Sequence, residues 1–172
     1  MKYIYTKRGQ PILVDDEDYE LASQYSWKIN KLGYVQAYEK GKSHSTRKQV
    51  YLHRLLMVAN KGEYIDHRNR NKQDNRRANL RRCTNRQNIC NQGLKKSNKS
   101  GFKGVSWWDR TKERGGGKGY WKAQIEFKRQ VKCLGCFKDR HTAALMYDFW
   151  NTFLNKDFAV TNFPIVSIGP TE

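Results

Sequence analysis

Residues 64–88, YIDHRNRNKQDNRRANLRRCTNRQN, restrict the fold more than any other part of the chain. The segment is dense in Asn and Arg. Its pattern predicts a short strand at Tyr64–His67 and, after a long basic loop, an antiparallel partner at Leu80–Thr84. Thr84 and Gln87 have the spacing of a capping box, which indicates the start of a helix. We therefore expect a strand, a loop, a strand and a helix in one compact hairpin.

This segment also carries the side chains that phosphodiester hydrolysis requires. Water must lose a proton near neutral pH, which suits the imidazole of His67. The phosphate and the leaving 3′ oxygen need charge stabilisation, which suits a hard divalent cation held by oxygen ligands. Asp66 and an Asn on the following helix supply such oxygens. Because Asp66 and His67 are neighbours, the strand must end or distort there for both to act together.

The arrangement resembles the HNH, or ββα-metal, nucleases, specifically the branch of phage and intron-encoded homing endonucleases. Asp66-His67, Asn79-Leu80 and Asn88 match the motif positions of that branch without gaps. The resemblance implies that His67 activates water and that Asp66 and Asn88 hold the metal, Mg²⁺ with Mn²⁺ as the alternative. It also implies that Asn79 pins the long loop and thereby orients the histidine.

Two further matches have less definite roles. Asn75 corresponds to a recurrent asparagine of the family, with a structural part expected. Tyr51–Arg54 resembles the YLHR segment that usually leads the motif, and for His53 phosphate contact, packing and hairpin support are comparable options. Asn-rich loops often serve only turn chemistry. The nuclease interpretation is preferred because four polar positions fall in one strand–strand–helix frame.

The chain is strongly basic, with 34 Lys and Arg against 16 Asp and Glu and a formal net charge of +18. Such a surplus favours a polyanionic partner, because neutralised phosphates release condensed counterions. The expected partner is double-stranded DNA. A solvated charged face is the default for basic runs, but beside a phosphodiesterase site we expect backbone contacts. The residues concerned are Arg68, Arg70, Lys72, Arg76, Arg77, Arg81, Arg82 and Arg86.

The rest of the chain alternates between strand and helix patterns. Strands are expected at Tyr3–Tyr5, Ile12–Val14 and Tyr34–Tyr38, and a short helix at Asp16–Tyr25. Gly115–Gly117 is interpreted as a flexible hairpin loop.

From Gly101 the sequence changes to aromatic strands, after a polar and basic linker at 95–100. Residues 119–127 alternate, so that one face packs and the other meets solvent or DNA. A helix at Asp139–Asn155, with Asp139 as its N-cap, is the expected packing partner. The residues of the packing faces are Trp121, Ala123, Ile125 and Phe127 on the strand, and Ala143, Ala144, Tyr147 and Trp150 or Asn151 on the helix.

This part resembles the AP-two/ERF DNA-binding domain of plant transcription factors, which is also found fused to HNH nucleases. The blocks SGFKGVSWW, YWKAQIEF, CLGCF, AALMYDFW and AVTNFP match that family in order. The resemblance implies a three-stranded sheet lying in the major groove. Carried over by position, the DNA-facing residues are Lys103, Ser106, Trp108, Lys122, Gln124 and Glu126.

The sequence differs from the AP-two/ERF family at the strand positions that determine DNA sequence specificity. Family arginines on the first strand are replaced by Ser106 and Trp108, and an arginine and a tryptophan on the third strand by Val131 and Cys133. We therefore expect docking on DNA but no inherited target sequence. Exposed polar strand faces are ordinary, so a merely solvated face is the alternative.

Four cysteines without an export signal predict reduced thiols in a cytosolic protein. Cys133 and Cys136 form a C-x-x-C, but residues three apart on a strand point to opposite faces. Because Cys83 and Cys90 supply no second C-x-x-C, we expect no zinc site. No stretch approaches the ~20 apolar residues of a membrane span.

Together these patterns predict an α+β protein of two domains. An HNH nuclease domain is expected at 1–94, with a ββα-metal core at about 63–92, and a domain of one three-stranded antiparallel sheet packed on one helix at 101–165. The expected protein is a monomeric, cytoplasmic, metal-dependent DNA endonuclease with a homing role in a phage or mobile element. The alternatives are a non-catalytic sequence-specific DNA-binding regulator and an RNA-binding protein, which charge alone does not exclude.

Overall fold

The structure is a computed structural model that describes residues 1–39, 47–109 and 119–164. It forms two compact units, Met1–Ile89 and Cys90–Glu172. Both combine small antiparallel sheets with few helices. No helix in the described part of the chain is long and apolar enough to cross a membrane. The hairpin loop expected at Gly115–Gly117 lies outside the described residues.

The first unit alternates strands with short helices. Its elements in chain order are β1 (Lys2–Tyr5), β2 (Pro11–Val14), α1 (Tyr19–Ser23), β3 (Lys28–Ile29), β4 (Val35–Tyr38), β5 (Gln49–Tyr51), α2 (Leu52–Leu56), β6 (Tyr64–His67), β7 (Leu80–Cys83) and α3 (Asn85–Cys90). Strands β1 and β2 form one hairpin, β3, β4 and β5 form a three-stranded sheet, and β6 and β7 form a second hairpin. The expected strands at Tyr3–Tyr5 and Ile12–Val14 are confirmed as β1 and β2.

The core of this unit is built from the alternating positions of the strands. Ile12 and Val14 of β2 are fully buried, as the period of two in a half-buried strand requires. In β4 the successive residues Val35, Gln36 and Ala37 are all buried. Leu52 and Leu56, four residues apart on α2, bury the same face of that helix in the core. Ile65 of β6 and Leu80 of β7 belong to the same core. The polar residues of this hairpin are therefore held against a packed surface.

The expected hairpin of residues 64–83 is confirmed. Asp66 pairs with Arg81 and His67 with Leu80 in the antiparallel register. The capping box is also present, because Gln87 N–H donates to Thr84 Oγ1 at 3.2 Å and Thr84 N–H donates to Gln87 Oε1 at 2.8 Å. The hairpin thus leads directly into α3.

The long loop 68–79 is tied to the N-terminal half of the unit. Leu13 N–H donates to Gln73 O at 2.8 Å, and Asn75 N–H donates to Leu13 O at 2.8 Å. The side chain of Gln73 donates to Gly33 O at 2.7 Å. These bonds satisfy backbone groups that an isolated polar loop would leave to water. The shape of the loop therefore depends on β2 and on the turn before β4.

The second unit is one sheet packed on one helix. Its elements are β8 (Val105–Trp108), β9 (Tyr120–Phe127), β10 (Gln130–Phe137), α4 (Arg140–Asn155) and a 3-10 helix (Lys156–Phe158). Strand β9 is central, with β8 and β10 antiparallel on either side. Asp139 is the N-cap as expected, since Thr142 N–H donates to Asp139 Oδ2 at 2.8 Å.

The packing face of this unit follows the predicted alternation. Ala123 and Ala143 are fully buried between sheet and helix. Asn151, 1% exposed, faces inward on α4, whereas Trp150 is 36% exposed, which decides between the two positions that the sequence left open. Gly104, at φ +75°, lies against the ring of Tyr147, where a Cβ would approach a ring carbon to 1.8 Å. Only glycine fits at that position.

The prediction that Cys133 and Cys136 point to opposite faces is wrong. The register shifts between Cys133 and Gly135, so that Cys133 lies opposite Gln124 and Cys136 lies opposite Lys122. Gln124 and Lys122 are two residues apart and share a face. The bulge inserts one extra residue between the two cysteines, so they lie on the same face, whereas regular alternation would place them on opposite faces. Both thiols therefore lie on the polar face of the sheet.

Candidate functional site

His67 is the last residue of β6, and its side chain is buried, with 4% exposed. The strand ends at this residue, where Arg70 N–H donates back to His67 O at 2.9 Å, and Asp66 and His67 both stay in the regular register of the hairpin. The ring nitrogen Nε2 lies 3.4 Å from Asn75 Oδ1. Asn75 is itself fully buried, and its Nδ2 donates to Lys72 O at 3.2 Å, which orients the amide. The imidazole is thus held at one nitrogen by a fixed acceptor.

The electrostatic surroundings of His67 favour the neutral imidazole. Burial lowers the pKa of His67, while the contact with Asn75 and the charge of Asp66 act in the opposite direction. Desolvation is the largest of these causes, since an imidazolium loses its hydration in the interior. A histidine with a lowered pKa is unprotonated near neutral pH and can accept a proton from water.

Asp66 forms a buried ion pair with Arg81, the residue opposite it on β7. Arg81 Nε donates to Asp66 Oδ2 at 2.9 Å, and Nη2 lies 2.8 Å from the same oxygen. Both side chains are only 7% exposed. The guanidinium offsets the charge of the carboxylate and fixes its orientation. Arg81, expected to contact DNA, is therefore buried and paired within the protein.

Asn79 closes the loop rather than touching His67. Its Nδ2 donates to Asp74 O at 2.7 Å, and its Oδ1 accepts from Asn69 N–H at 3.0 Å. The side chain therefore ties two distant points of the loop together. The direct contact with His67 comes from Asn75, to which the sequence assigned only a structural part.

Aromatic rings close the site on the side of the N-terminal sheets. The rings of His53 and Tyr34 lie 5.2 Å and 6.3 Å from the ring of His67, measured between centroids. His53 is 6% exposed, so it packs and does not reach phosphate. Burial, with the positive groups nearby, lowers the pKa of His53 to about 3. Tyr34 was missed because it stands far from the motif in sequence.

Most basic residues of the loop are engaged by the protein itself. Lys72 Nζ donates to Leu32 O at 2.6 Å and lies 3.9 Å from the centroid of the Tyr34 ring. Arg76 binds both carboxylate oxygens of Asp74 at 2.8 Å. These side chains fix the loop, which accounts for part of its basic composition without DNA.

Arg77 and Arg82 also form ion pairs within the first unit. Arg77 makes a two-point contact with Asp18, at 2.9 and 2.7 Å. Arg82 pairs with Glu63 and donates to Met57 O at 2.8 Å. Arg68 and Arg70 are exposed, and among the described residues their side chains make no polar contact. These two are therefore the loop cations best placed to meet a phosphate.

The oxygen donors expected to hold a metal fit a hard cation. Asp66 offers a carboxylate, and Asn88 offers a side-chain amide from a half-buried position on α3. Within the described ranges no group of three or more His, Cys, Asp or Glu side chains is placed to bind a metal ion. Mg²⁺ commonly takes one or two carboxylates, keeps several waters and completes its shell with phosphate oxygens. A small donor set of this kind is consistent with that habit.

The polar face of the second unit brings together most of the residues expected to face DNA. Ser106 pairs with Lys122, and Trp108 pairs with Tyr120, across β8 and β9. The residues that share this face by register are Ser106, Trp108, Tyr120, Lys122, Gln124, Glu126, Val131, Cys133 and Cys136. Lys103 lies outside the sheet, and its Nζ donates to Cys90 O at 2.6 Å and Gln92 O at 2.7 Å. Its ammonium is thus bound to backbone carbonyls.

Part of the first unit is similar to a known protein family. Residues 50–89 match a family model described as HNH endonuclease. The match runs from β5 through the histidine and asparagine positions to α3. Residues 50–89 are therefore similar to an HNH endonuclease domain.

A viral relative covers more of the chain. An uncharacterized HNH endonuclease of Acanthamoeba polyphaga mimivirus is 32% identical over 105 residues, or 58% of this chain. The aligned region spans 52% of that protein, so the chain covers about half the length of the curated relative that it matches.

Replacement of Arg81 tests the buried pair. Arg81→Met leaves the Asp66 carboxylate buried without its partner and is expected to lower the free energy of unfolding by about 3–5 kcal/mol. The matched control is Arg82→Met, one residue along β7, whose side chain is 51% exposed. An exposed pair contributes about 1 kcal/mol or less. Urea unfolding of the two variants checks this, and equal losses would contradict the proposed pairing.

Burial of His53 predicts a dependence of stability on pH. Its pKa is about 3 in the folded chain against an ordinary value of 6.5, so the unfolded chain binds the extra proton as the pH falls below 6.5. Stability present at neutral pH is therefore lost towards pH 3, by about 1.3 kcal/mol between pH 7.0 and 5.5. His53→Phe should remove this loss. Urea unfolding at both pH values measures it, and an unchanged difference in the variant would refute it.

Proposed function

We propose that this chain is a divalent-metal-dependent DNA endonuclease. In this proposal β6, β7 and α3 form a ββα-metal site, and the sheet of the second unit docks on duplex DNA. The observation that carries it is the setting of His67, a buried imidazole held at Nε2 by Asn75 within a segment that matches the HNH endonuclease model.

The contact with Asn75 selects the tautomer of His67. The amide is oriented by its Nδ2 bond to Lys72 O, so Asn75 presents Oδ1, which can only accept, to Nε2. The proton of the neutral ring then sits on Nε2, and Nδ1 carries the lone pair. In the proposed reaction Nδ1 takes a proton from the attacking water. Asn75 stabilises the imidazolium that forms, because its oxygen continues to accept from Nε2–H.

Asp66 and Asn88 would hold the metal, Mg²⁺ with Mn²⁺ as the alternative. A bound cation of this class stabilises negative charge on the scissile phosphate and on the leaving 3′ oxygen. Arg81 holds one carboxylate oxygen of Asp66 and so presents the group in a fixed orientation. Arg68 and Arg70 are exposed beside the site, and we assign them to contacts with the DNA backbone.

The second unit is proposed as the docking module, with an AP-two/ERF-like use of its sheet. Support comes from the shared face of Ser106, Lys122 and Gln124, which turns away from the core. A sheet face of this width can enter the major groove, where side chains reach base edges. The replacements at Val131 and Cys133 imply a target different from that of the plant domains.

Two other functions remain as rivals. A regulator that binds DNA without cutting would need no general base, so the oriented imidazole of His67 favours catalysis. RNA binding is disfavoured by the family model, whose description is of an endonuclease. A homing role and a monomeric state remain part of the proposal, since they rest on the resemblance of the motif.

The catalytic assignment predicts a loss of rate without a loss of binding. His67→Ala should lower single-turnover cleavage of plasmid DNA by about 10²–10⁴-fold, because it removes the general base. DNA affinity measured in EDTA should stay within about 2-fold, since phosphate contacts supply most of it. The control is His141→Ala, an exposed histidine of the second unit. Near-wild-type cleavage by His67→Ala, or undiminished cleavage in EDTA, would refute the assignment.

The docking assignment is tested on the full chain. Lys122→Ala should weaken binding to all duplex sequences and reduce the slope of log K against log salt by about 1. Gln124→Ala should instead relax preference at one base, by about 1–3 kcal/mol if it reads an edge. Lys138→Ala, an exposed lysine just beyond β10, is the charge-matched control. If all three variants bind like the wild type at two salt concentrations, this face does not dock DNA.

A further inference from the structure

The plane of the His67 ring decides where its nitrogens point. Nε2 lies 3.4 Å from Asn75 Oδ1, and the flat faces of the ring are in contact with other side chains. A general base must meet the reacting water within a narrow range of distance and angle. The rings packed against this imidazole therefore bear on its geometry as a base.

His53 is the ring placed to do so. Its centroid lies 5.2 Å from that of His67, and the two planes meet at 63°, an edge-to-face contact. His53 is enclosed in turn by Tyr34 at 5.3 Å and Tyr51 at 5.8 Å. Tyr34 and Tyr51 meet each other edge to face at 6.2 Å. The four rings form one cluster with His67 at its end.

The cluster is mounted on rigid parts of the fold. His53 belongs to α2, whose Leu52 and Leu56 are 0% and 1% exposed in the core. Arg54 of the same helix donates to Asn60 O at 2.7 Å, which ties α2 to the turn that leads into β6. The strand that carries His67 and the helix that carries His53 are thus fixed to each other.

The ring of His53, rather than its nitrogens, is what the site uses. Nδ1 is buried and has no hydrogen-bond partner among the described residues, so it does not reach solvent or DNA. A buried nitrogen without a partner lowers stability and supplies no contact of its own. What His53 contributes beside His67 is therefore the shape of its flat ring.

We propose that His53 is a positioning residue, whose ring is packed against the imidazole of His67 and fixes its plane for proton abstraction. This inference rests on the proposed function, because it assigns His53 a part in the reaction of His67.

The test compares three variants of the full chain with the wild type. His53→Ala removes the ring and should lower the single-turnover cleavage rate by about 10–100-fold, the order expected for a base displaced by about an ångström. DNA affinity in EDTA should not change. His53→Phe keeps a ring and should cleave within about 3-fold of wild type, with a urea midpoint at least as high, since it removes the unpaired Nδ1.

The control for packing is Ile4→Ala. Ile4 lies on β1, outside α2 and the four rings, and is 6% exposed, as His53 is. This variant should lower the urea midpoint as His53→Ala does and leave the rate of the folded enzyme unchanged. If His53→Ala does not fold, His53→Leu fills the volume without a flat ring and replaces it in the comparison.

A second readout does not depend on cleavage. In EDTA, the proton resonances of the His67 ring should shift and broaden in His53→Ala and stay close to wild type in Ile4→Ala. Wild-type cleavage by His53→Ala, equal loss of rate in His53→Phe, or equal loss in Ile4→Ala would each overturn the proposal. If the wild-type chain does not cleave at all, the proposed function fails, and the His67 resonances still decide whether His53 holds that ring.

Discussion

A loop built from Asn, Arg and Asp has little apolar surface to bury, so it keeps one shape only if its polar groups are bonded. In this chain Leu13 supplies the central bonds, since its N–H reaches Gln73 and its C=O accepts from Asn75. Asn75 is thereby fixed at its backbone, and its amide meets Nε2 of His67. The geometry of the imidazole thus depends on a strand near the beginning of the chain.

The charge of Asp66 is needed for the proposed metal binding, but it makes burial of the side chain unfavourable. In the proposed metal site Asp66 must be an anion to bind a cation, yet a buried anion is unfavourable unless it is paired. Arg81 resolves this by neutralising the carboxylate and leaving it in place. The same logic explains why Arg76 and Arg77 bind carboxylates, at Asp74 and Asp18, and leave fewer cations for DNA than the composition suggests.

Local patterns predicted the elements well, because periodicity and capping report on neighbours in sequence. The β6–β7 hairpin, the capping box at Thr84 and the N-cap at Asp139 are such cases. Contacts between distant segments were not predictable in this way, and they include the bonds from Leu13 to the loop and the ring of Tyr34 beside His67. The bulge in β10 was not predicted either, since the alternation of faces assumes a regular strand. The count of basic residues in the sequence does not distinguish an arginine that is buried in an ion pair from one that is exposed to DNA.

The roles proposed for His67, Asp66 and Asn88 require that this chain cuts DNA with a divalent metal. The most direct measurement is incubation of the full chain with an end-labelled duplex and Mg²⁺, followed by analysis of product lengths and ends. Hydrolysis with a leaving 3′ oxygen predicts shorter strands ending in a 3′ hydroxyl and a 5′ phosphate, which DNA ligase rejoins. A duplex that is bound but stays intact at every divalent metal concentration tested, with the chain shown to be folded, would contradict the account.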